Sequence, residues 1–495
     1  EVTSRKAGSD AANVWCSQGD GAFTVEKCEQ GPARGTKIQL FLRDDAEEFL
    51  DEARLTSIVK AYSDHIAIPV IVGSSEDSAN SASALWTRPK SEISEDQYRE
   101  FYHHCAHSFD EPWLTMHWKG EGVIDYTALL FIPTLKPFDL YDPRRLTRLR
   151  LYVRRIFITD NAENLLPAWL RFLRGVIDSI DLPLSVSREM LQHNPVMTKI
   201  RTRVTKKVLG ELGKLAKNDP DRYAGFWEAF GAVVKEGLYE DAGLRADIFK
   251  IARFRSTKAD GWTSLADYVG RMKDGQKAIY FVSGEDEALL KASPQLEGFA
   301  ARDIEVLLLT DSIDEFWMPV VESFEDKPFK SITRAGADLA AFAEKDKPSV
   351  VARDEDADNA SALIGLIKTV LGPAIKDVRV SHVLVDSPVC LSVDTGDVDF
   401  HMERMLKQHK QLDLSIPRIL EVNPAHHLIR ELNGRVEKEG QNASLENIAW
   451  LLLDQARILE GEPLPDPAAF GRRLTHVLEG AVKKDHQDTK YAKKH

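Results

Sequence analysis

The sequence predicts a multidomain α+β protein, and three observations support that class. Residues 200–255 and 444–459 repeat apolar side chains at helical spacing. Residues 277–310 are arranged as strand, helix and strand, which indicates a small parallel sheet. The polar stretches 73–83 and 341–360 have little to bury and divide the chain as linkers. With 495 residues the chain has room for several hydrophobic cores.

The first elements are short. Turn residues between 13 and 26 predict a hairpin, and residues 36–42 alternate apolar and polar side chains as a half-buried strand does. Asp44 or Asp45 can cap a helix that follows, and residues 66–72 form a short apolar strand.

The middle region opens with the clearest local signal. Ser94 followed three residues later by Gln97 fits a capping box at the start of a helix. The predicted elements of this region are a helix over 94–107, strands over 128–133 and 149–159, a helix over 166–180 and helices over 200–255.

The last region ends in helices. A strand is predicted near 378–385, and Ser444 can cap a long helix that Gly461 closes. This helix is apolar nearly all round, which is typical of a helix in a bundle or a dimer interface. The polar residues 483–495 are predicted to be disordered.

Composition and charge exclude some classes. The chain has 65 basic and 78 acidic residues and a net charge of −13, which argues against nucleic acid or an anionic membrane as the main partner. No apolar run approaches the roughly 20 residues of a membrane span. The four cysteines show no CxxC spacing, so a reducing, cytoplasmic environment is predicted. Without a signal peptide or a starting methionine, the sequence reads as a fragment.

Residues 181–192 carry the strongest candidate for chemistry. Pro183 ends the preceding element, and Ser187 can cap a new helix. Arg188 then falls in the first helical turn, where the helix dipole disfavours a cation. An arginine at this position suggests that its guanidinium binds an anion, most often a phosphate. From spacing alone, a surface arginine without a ligand is the commoner case.

These residues, Asp181–Gln192, resemble the catalytic loop in the middle domain of the heat shock protein 90 chaperones, bacterial HtpG type. The resemblance covers almost the whole chain, because further matching segments follow in the same order. They include Arg34-Gly-Thr-Lys-Ile38, Leu85-Trp-Thr87, Ala128-Leu-Leu-Phe-Ile-Pro133, Pro137-Phe-Asp-Leu140, Leu151-Tyr-Val-Arg-Arg-Ile-Phe157, Arg174-Gly-Val-Ile-Asp178, Asp314-Glu315, Asp386-Ser-Pro388 and Glu421-Val-Asn-Pro424.

The resemblance implies a domain organisation. It comprises the remnant of a Bergerat-type ATPase α/β sandwich over 1–72, a linker over 73–83, and a middle domain of α/β layers with a helical insert over 84–340. A second linker over 341–360, a C-terminal α/β dimerisation domain ending in a helical bundle over 361–482, and the tail 483–495 complete it.

The resemblance also assigns nucleotide contacts. Thr36 would help hold the adenine end of ATP, and Arg188 would reach the γ-phosphate. Gln192 is a helper, although a surface residue of a capped helix explains it equally well. The family's Asp-x-Gly-x-Gly motif and Gly-rich lid do not occur in this sequence. ATP and Mg are therefore expected in the full-length parent, and this chain alone is predicted to bind neither and to be inactive as an ATPase.

Client binding is the second activity that the resemblance implies. It assigns client contacts to Phe316, with Trp317 beside it, and to an amphipathic stripe in the C-terminal region. The stripe consists of Val398, Met402, Met405 and Leu406. Without the family context such a stripe is more often core, but charged neighbours favour a wet surface. Val398 departs from the bacterial pattern.

The resulting hypothesis is a cytoplasmic, homodimeric, stress-response chaperone that remodels unfolded clients, with the heat shock protein 70 system as a further partner. One alternative is an ATP-independent holdase or dimeric scaffold. Another is an enzyme built on residues 277–310, for which the sequence offers no catalytic set.

His103 and His107 are one turn apart, but a polar helix face explains them better than a metal does. The arginines between 144 and 155 could bind nucleic acid or form the charged face of a strand.

Overall fold

Four β-sheets and the helices between them give the described part of the chain a mixed α+β fold. The computed structural model describes residues 1–29, 31–144, 146–162, 164–183, 194–334, 336–339, 342, 360–394, 396–400, 402–403, 406 and 416–491. No helix within these ranges is long and apolar enough to cross a membrane.

The first sheet is antiparallel, with the strand order β3-β2-β1-β4. Its strands are β1 (Val2–Arg5), β2 (Ala12–Cys16), β3 (Thr24–Cys28) and β4 (Thr36–Ile38). The hairpin predicted over 13–26 is confirmed, since β2 pairs with β3. The half-buried strand predicted over 36–42 is wrong, because β4 is only three residues long and fully exposed.

The elements after β4 also differ from the prediction. A 3-10 helix over Asp44–Leu50 precedes helix α1 (Glu52–Ser63), whose cap is Asp51 rather than Asp44 or Asp45. The strand predicted over 66–72 is reduced to an isolated bridge between Ile71 and Ser78.

The segment 73–83 does bury one side chain, contrary to expectation. The Asn80 side chain accepts a hydrogen bond from the Val70 amide at 2.8 Å and donates one to the Ile68 carbonyl at 3.1 Å. These bonds replace the apolar burial that the segment lacks, and they tie it to the residues after α1.

The second sheet has the order β5-β6-β9-β7-β8 and helices on both faces. Its strands are β5 (Pro112–Gly120), β6 (Tyr126–Pro133), β7 (Leu149–Val153), β8 (Ile156–Thr159) and β9 (Arg174–Ser179). Helix α2 (Glu95–Ala106) covers one face, and its predicted capping box is confirmed. Helices α3 (Pro195–Asn218), α4 (Pro220–Glu240) and α5 (Arg245–Ile251) cover the other face and confirm the helices predicted over 200–255.

The helix predicted over 166–180 is wrong, since these residues contain a 3-10 turn and the strand β9. Every residue of β9 is buried, so the run shows no alternation that would mark a strand. Gly175 permits the close pairing with β6, because a Cβ on it would lie 2.1 Å from the Leu129 carbonyl oxygen.

The third sheet has the order β10-β12-β11-β14-β13. Its strands are β10 (Arg255–Ser256), β11 (Ile279–Ser283), β12 (Leu307–Leu309), β13 (Ser323–Phe324) and β14 (Lys327–Ser331). The predicted parallel pairing is confirmed between β11 and β12. The helices of this region are α6 (Leu265–Gly270), α7 (Glu287–Lys291), α8 (Glu297–Ala301), α9 (Asp314–Trp317) and α10 (Gly336–Leu339).

The fourth sheet joins β15 (Asp377–Val380), β17 (Ile419–Val422) and β16 (Val389–Ser392), in that order. Its helices are α11 (Ser361–Leu371), α12 (His427–Glu439), α13 (Ala443–Leu459) and α14 (Pro467–Tyr491). Asn442 caps α13 in place of the predicted Ser444, because its side chain reaches the Leu445 amide. Helix α14 extends to Tyr491, where the sequence predicts disorder.

Gly175→Ala is expected to destabilise the protein by more than about 4 kcal/mol, because the added methyl group meets the β6 backbone. Gly122→Ala is the matched control. Both glycines have φ +124°, but nothing lies within 4 Å of a Cβ at Gly122, so its cost is limited to backbone strain of about 1–3 kcal/mol. Urea unfolding of both variants measures the difference, and equal losses would contradict the steric explanation.

Candidate functional site

The short helix α9 carries Phe316, and a buried ion pair holds this helix in place. The Lys235 ammonium on α4 lies 2.6 Å from Asp314 Oδ1 and 2.6 Å from Asp311 Oδ2. Burial alone would lower the pKa of Lys235, but attraction to Asp314 and Asp311 outweighs burial and raises it. The lysine is therefore charged, and it joins two elements that are distant in the sequence.

Trp317 lies inside the core, which corrects its assignment as a client contact. Its side chain is fully buried, packs edge-on against Phe249 and Phe329, and donates from Nε1 to Asp314 Oδ1 at 2.7 Å. Phe316, its neighbour, is 45% exposed. One turn of helix thus directs Trp317 inward and Phe316 outward, so of these two residues Phe316 alone remains a candidate for contact with a client.

The pairing of Lys235 with Asp314 was not predicted from the sequence, although one signal for the lysine was present. Lys235 follows Val233 and Val234 and precedes Leu238 on the apolar side of α4, where an unpaired cation would be costly. A lysine at such a position predicts a buried carboxylate partner, but the sequence does not indicate which of the 78 acidic residues it is.

Glu315 is the second buried acid of α9. Burial raises the pKa of Glu315 to about 7, and the nearby Asp399 carboxylate adds to the effect. Ser283 hydrogen-bonds to the Glu315 side chain and partly opposes the shift, while Oε1 lacks a partner in the described part of the chain. Glu315 therefore titrates near neutral pH beside the candidate contact.

The C-terminal stripe is described in part. Val398, Met402 and Leu406 are half-buried, and Met405 lies outside the described residues. Val398 precedes the helical residues, and its carbonyl accepts a hydrogen bond from Arg418 at 2.7 Å, so it does not share a helix face with the others as predicted. The buried side of this helix carries Phe400 and Glu403 instead.

Of the residues assigned to ATP, the structure describes Thr36 alone. Arg188 and Gln192 lie outside the described residues. Thr36 is exposed on β4, and its hydroxyl lies 3.1 Å from the Ser4 hydroxyl. One exposed hydroxyl cannot hold a nucleotide without further groups around it.

The remaining polar clusters have structural partners. His103 Nε2 lies 3.0 Å from the Asp110 carbonyl, and no group of three potential ligands for a metal ion occurs among the described residues.

The arginines between 144 and 155 do not form one strand face. Arg144 and Arg148 pair with Asp142 and Asp139, and Arg154 and Arg155 occupy the turn between β7 and β8. Arg145 lies outside the described residues.

Comparison with known proteins places the chain in a family. A family model described as "Hsp90 protein" matches residues 73–495. The chain belongs to the Hsp90 family.

Three relatives, each named "Chaperone protein HtpG", are similar to this chain over almost all of its length. The relative from Paramagnetospirillum magneticum is 56% identical over 97% of this chain and 77% of its own length. The relative from Roseobacter denitrificans is 50% identical over 97% and 78%, and that from Rhodospirillum rubrum is 50% identical over 97% and 77%. The resemblance recognised from the motifs is confirmed.

Lys235→Met is expected to cost about 3–5 kcal/mol of stability, because it leaves Asp314 buried without its cation. Lys250→Met is the matched control, since Lys250 is exposed and pairs with Asp247 on the surface of α5, an interaction worth about 0–1 kcal/mol. Urea unfolding followed by tryptophan fluorescence compares the two variants. A loss for Lys235→Met no larger than for Lys250→Met would show that the buried pair does not anchor α9.

Glu315→Gln is expected to stabilise the protein at pH 8 and to change little at pH 5. The folded-state pKa of Glu315 is raised from 4.5 to about 7, so the folded protein holds the proton more tightly, and stability is lost as pH rises through this window. The amide of the variant does not ionise, so the variant avoids this loss of stability, which amounts to roughly 3 kcal/mol at most. Thermal unfolding at both pH values measures it, with exposed Glu322→Gln as the control; a gain that is independent of pH would contradict the assignment.

Proposed function

We propose that this chain is a chaperone of the Hsp90 type that binds unfolded or partly folded client proteins as a homodimer. The carrying observation is its 56% identity, over 97% of its length, to a protein named as a chaperone. The anchored and 45% exposed Phe316 supports the proposal, because an exposed aromatic ring on a rigid helix suits apolar segments of varied sequence. The same relatives support a role in the stress response, which we place in the cytoplasm, with heat shock protein 70 as a cooperating system.

The proposed organisation keeps the predicted domains. The separate sheets over 2–38, 112–179, 255–331 and 377–422 support an N-terminal unit over 1–72, a middle domain over 84–340 and a C-terminal domain over 361–482. The start of the family match at residue 73 supports the first boundary.

The homodimer is proposed to form through the C-terminal helices. Helices α12 to α14 expose several large apolar side chains, each between 37% and 57% accessible in the single chain. They are Leu428, Ile458, Leu459, Leu474 and Leu478. Burying them against a second copy would remove apolar surface from water, which is the main driving force of association.

We propose that ATP and Mg act in the longer parent and that this chain alone does not hydrolyse ATP. The exposure of Thr36 on β4 supports this part of the proposal, because an enclosed nucleotide pocket would bury it. Arg188 and Gln192 keep their proposed roles at the γ-phosphate, and Met402, Met405 and Leu406 keep theirs at the client. The exposed Phe41 and Phe138 favour a second candidate function, the nucleotide-independent holdase, because apolar surface already available needs no ATP-driven exposure.

The first test combines sedimentation equilibrium with suppression of aggregation of a chemically unfolded client, with and without ATP. A dimer that protects the client equally in both conditions is the expected result. A monomer that gives no protection would overturn the proposed function, and protection that requires ATP would overturn the proposal that this chain works without nucleotide.

Phe316→Ala is expected to reduce the suppression of client aggregation several-fold, because it removes the outward ring of α9, whereas Phe316→Trp should retain it. Phe23→Ala is the control, since Phe23 is 64% exposed and directly precedes β3 of the first sheet. Aggregation followed by light scattering measures the effect. Equal reductions for Phe316→Ala and Phe23→Ala would mean that any exposed aromatic ring contributes equally to client binding.

A further inference from the structure

Phe316 has an exposed aromatic neighbour on a different helix. Tyr239, near the end of α4, is 51% exposed, and its ring centroid lies 6.3 Å from that of Phe316 at an interplanar angle of 68°. Edge-to-face pairs of this kind are attractive and orient both rings. Val320, which follows α9, is 39% exposed and adds aliphatic surface.

The Arg245 guanidinium connects the end of α4 to the residues after α9, because it hydrogen-bonds to a backbone carbonyl in each segment. Nε donates to the Leu238 carbonyl at 2.7 Å, and Nη1 donates to the Val320 carbonyl at 3.1 Å. The residue before Tyr239 and the backbone of Val320 thus lie within the span of one side chain. We call Tyr239, Phe316 and Val320 the aromatic patch.

The aromatic patch is already formed in the isolated chain. Lys235 lies one helical turn before Tyr239 on α4, and it holds Asp314 two residues before Phe316. The buried ion pair therefore fixes the two helices that carry the two rings. Because this surface is already ordered, binding of a partner carries no entropy cost for ordering it.

The charges beside the patch favour a cationic partner. Asp241 follows Tyr239 closely, Glu322 follows Val320, and both are carboxylates at or near the surface. The nearby cations are Lys235, which Asp314 and Asp311 neutralise, Arg245, which hydrogen-bonds to two carbonyl oxygens, and Arg334, whose charge acts on Glu315. Carboxylates thus outnumber cations here. A second copy of the chain, with its net charge of −13, is disfavoured by the same field.

We propose that the aromatic patch docks segments of unfolded polypeptide that combine aromatic or branched apolar side chains with flanking lysine or arginine. Tyr239 is the specificity-determining addition to Phe316. This inference rests on the proposed client binding and assigns a chemical class to the client segment.

The test is fluorescence anisotropy with the full chain and two fluorescein-labelled peptides that share a centre of phenylalanine and leucine. One peptide has lysines at both ends, and the other has glutamates. The lysine peptide should bind about 10-fold more tightly at low salt, and the difference should shrink as salt screens the carboxylates. Tyr239→Ala should raise the Kd for the lysine peptide at least 5-fold, whereas Tyr239→Phe should keep it.

Tyr62→Ala is the matched control, because Tyr62 is 55% exposed and packs against Phe157, which lies on the face of the second sheet opposite to α4. An unchanged Kd for Tyr239→Ala, with a weakened one for Phe316→Ala, would overturn the inference and leave the proposed function intact. Equal affinity for the two peptides would overturn the charge preference. Sedimentation of Tyr239→Ala should be unchanged, since a change in association would identify a second copy as the occupant and overturn the inference.

A different result would count against the proposed function itself. If the unmodified chain neither binds the lysine peptide nor suppresses aggregation of an unfolded client, then client binding fails. If it suppresses aggregation without binding the peptide, only the assignment of the aromatic patch fails.

Discussion

The buried ion pair between Lys235 and Asp314 is the interaction on which the candidate site depends. Both side chains are almost completely inaccessible to water, so each has lost a hydration energy of several kcal/mol. Asp311 and the Trp317 indole supply the hydrogen bonds and charge that offset this cost. Because the partners sit on α4 and α9, satisfying them sets the rotation of a four-residue helix that could not hold its own orientation. The outward position of Phe316 and the inward position of Trp317 follow from that rotation.

A second polar contact joins the third and fourth sheets close to this site. The Glu297 carboxylate on α8 accepts hydrogen bonds from the amides of Val385, Asp386 and Ser387 at 2.7, 2.8 and 3.2 Å. Gly298 allows the close approach, because a Cβ there would lie 2.6 Å from the Val383 carbonyl oxygen. Hydrogen bonds are directional, whereas apolar contacts can slide, so this junction has a defined geometry. Asp399, which follows the fourth sheet's strand β16 and accepts hydrogen bonds from Ser331 and Thr333, also raises the pKa of Glu315, so a group that titrates near neutral pH senses the C-terminal region.

The sequence predicted correctly those elements that depend on interactions between residues close together in the chain. The capping box at Ser94, the helices of the middle region and the parallel pair β11 and β12 follow from spacing within a few residues. The strand β9 was misassigned because neighbours on both faces bury it, and burial on both faces leaves no periodic pattern. At the candidate site, the sequence motif indicated Phe316 as the client contact. It could not show that Trp317 turns inward, since that depends on Lys235, which is 82 positions away in the chain.

The chain's charge explains how it can expose so much apolar surface. Phe41, Phe109 and Phe138 are largely accessible, and such side chains promote self-association when like-charge repulsion is weak. A net charge of −13 opposes contact between copies except where the apolar area is large enough to outweigh the repulsion, as we propose for the C-terminal helices. Under the proposed client binding, the same charge would attract unfolded segments that carry lysine or arginine. One electrostatic property would then keep the exposed rings of separate copies apart and also draw toward them the polypeptides that they are proposed to bind.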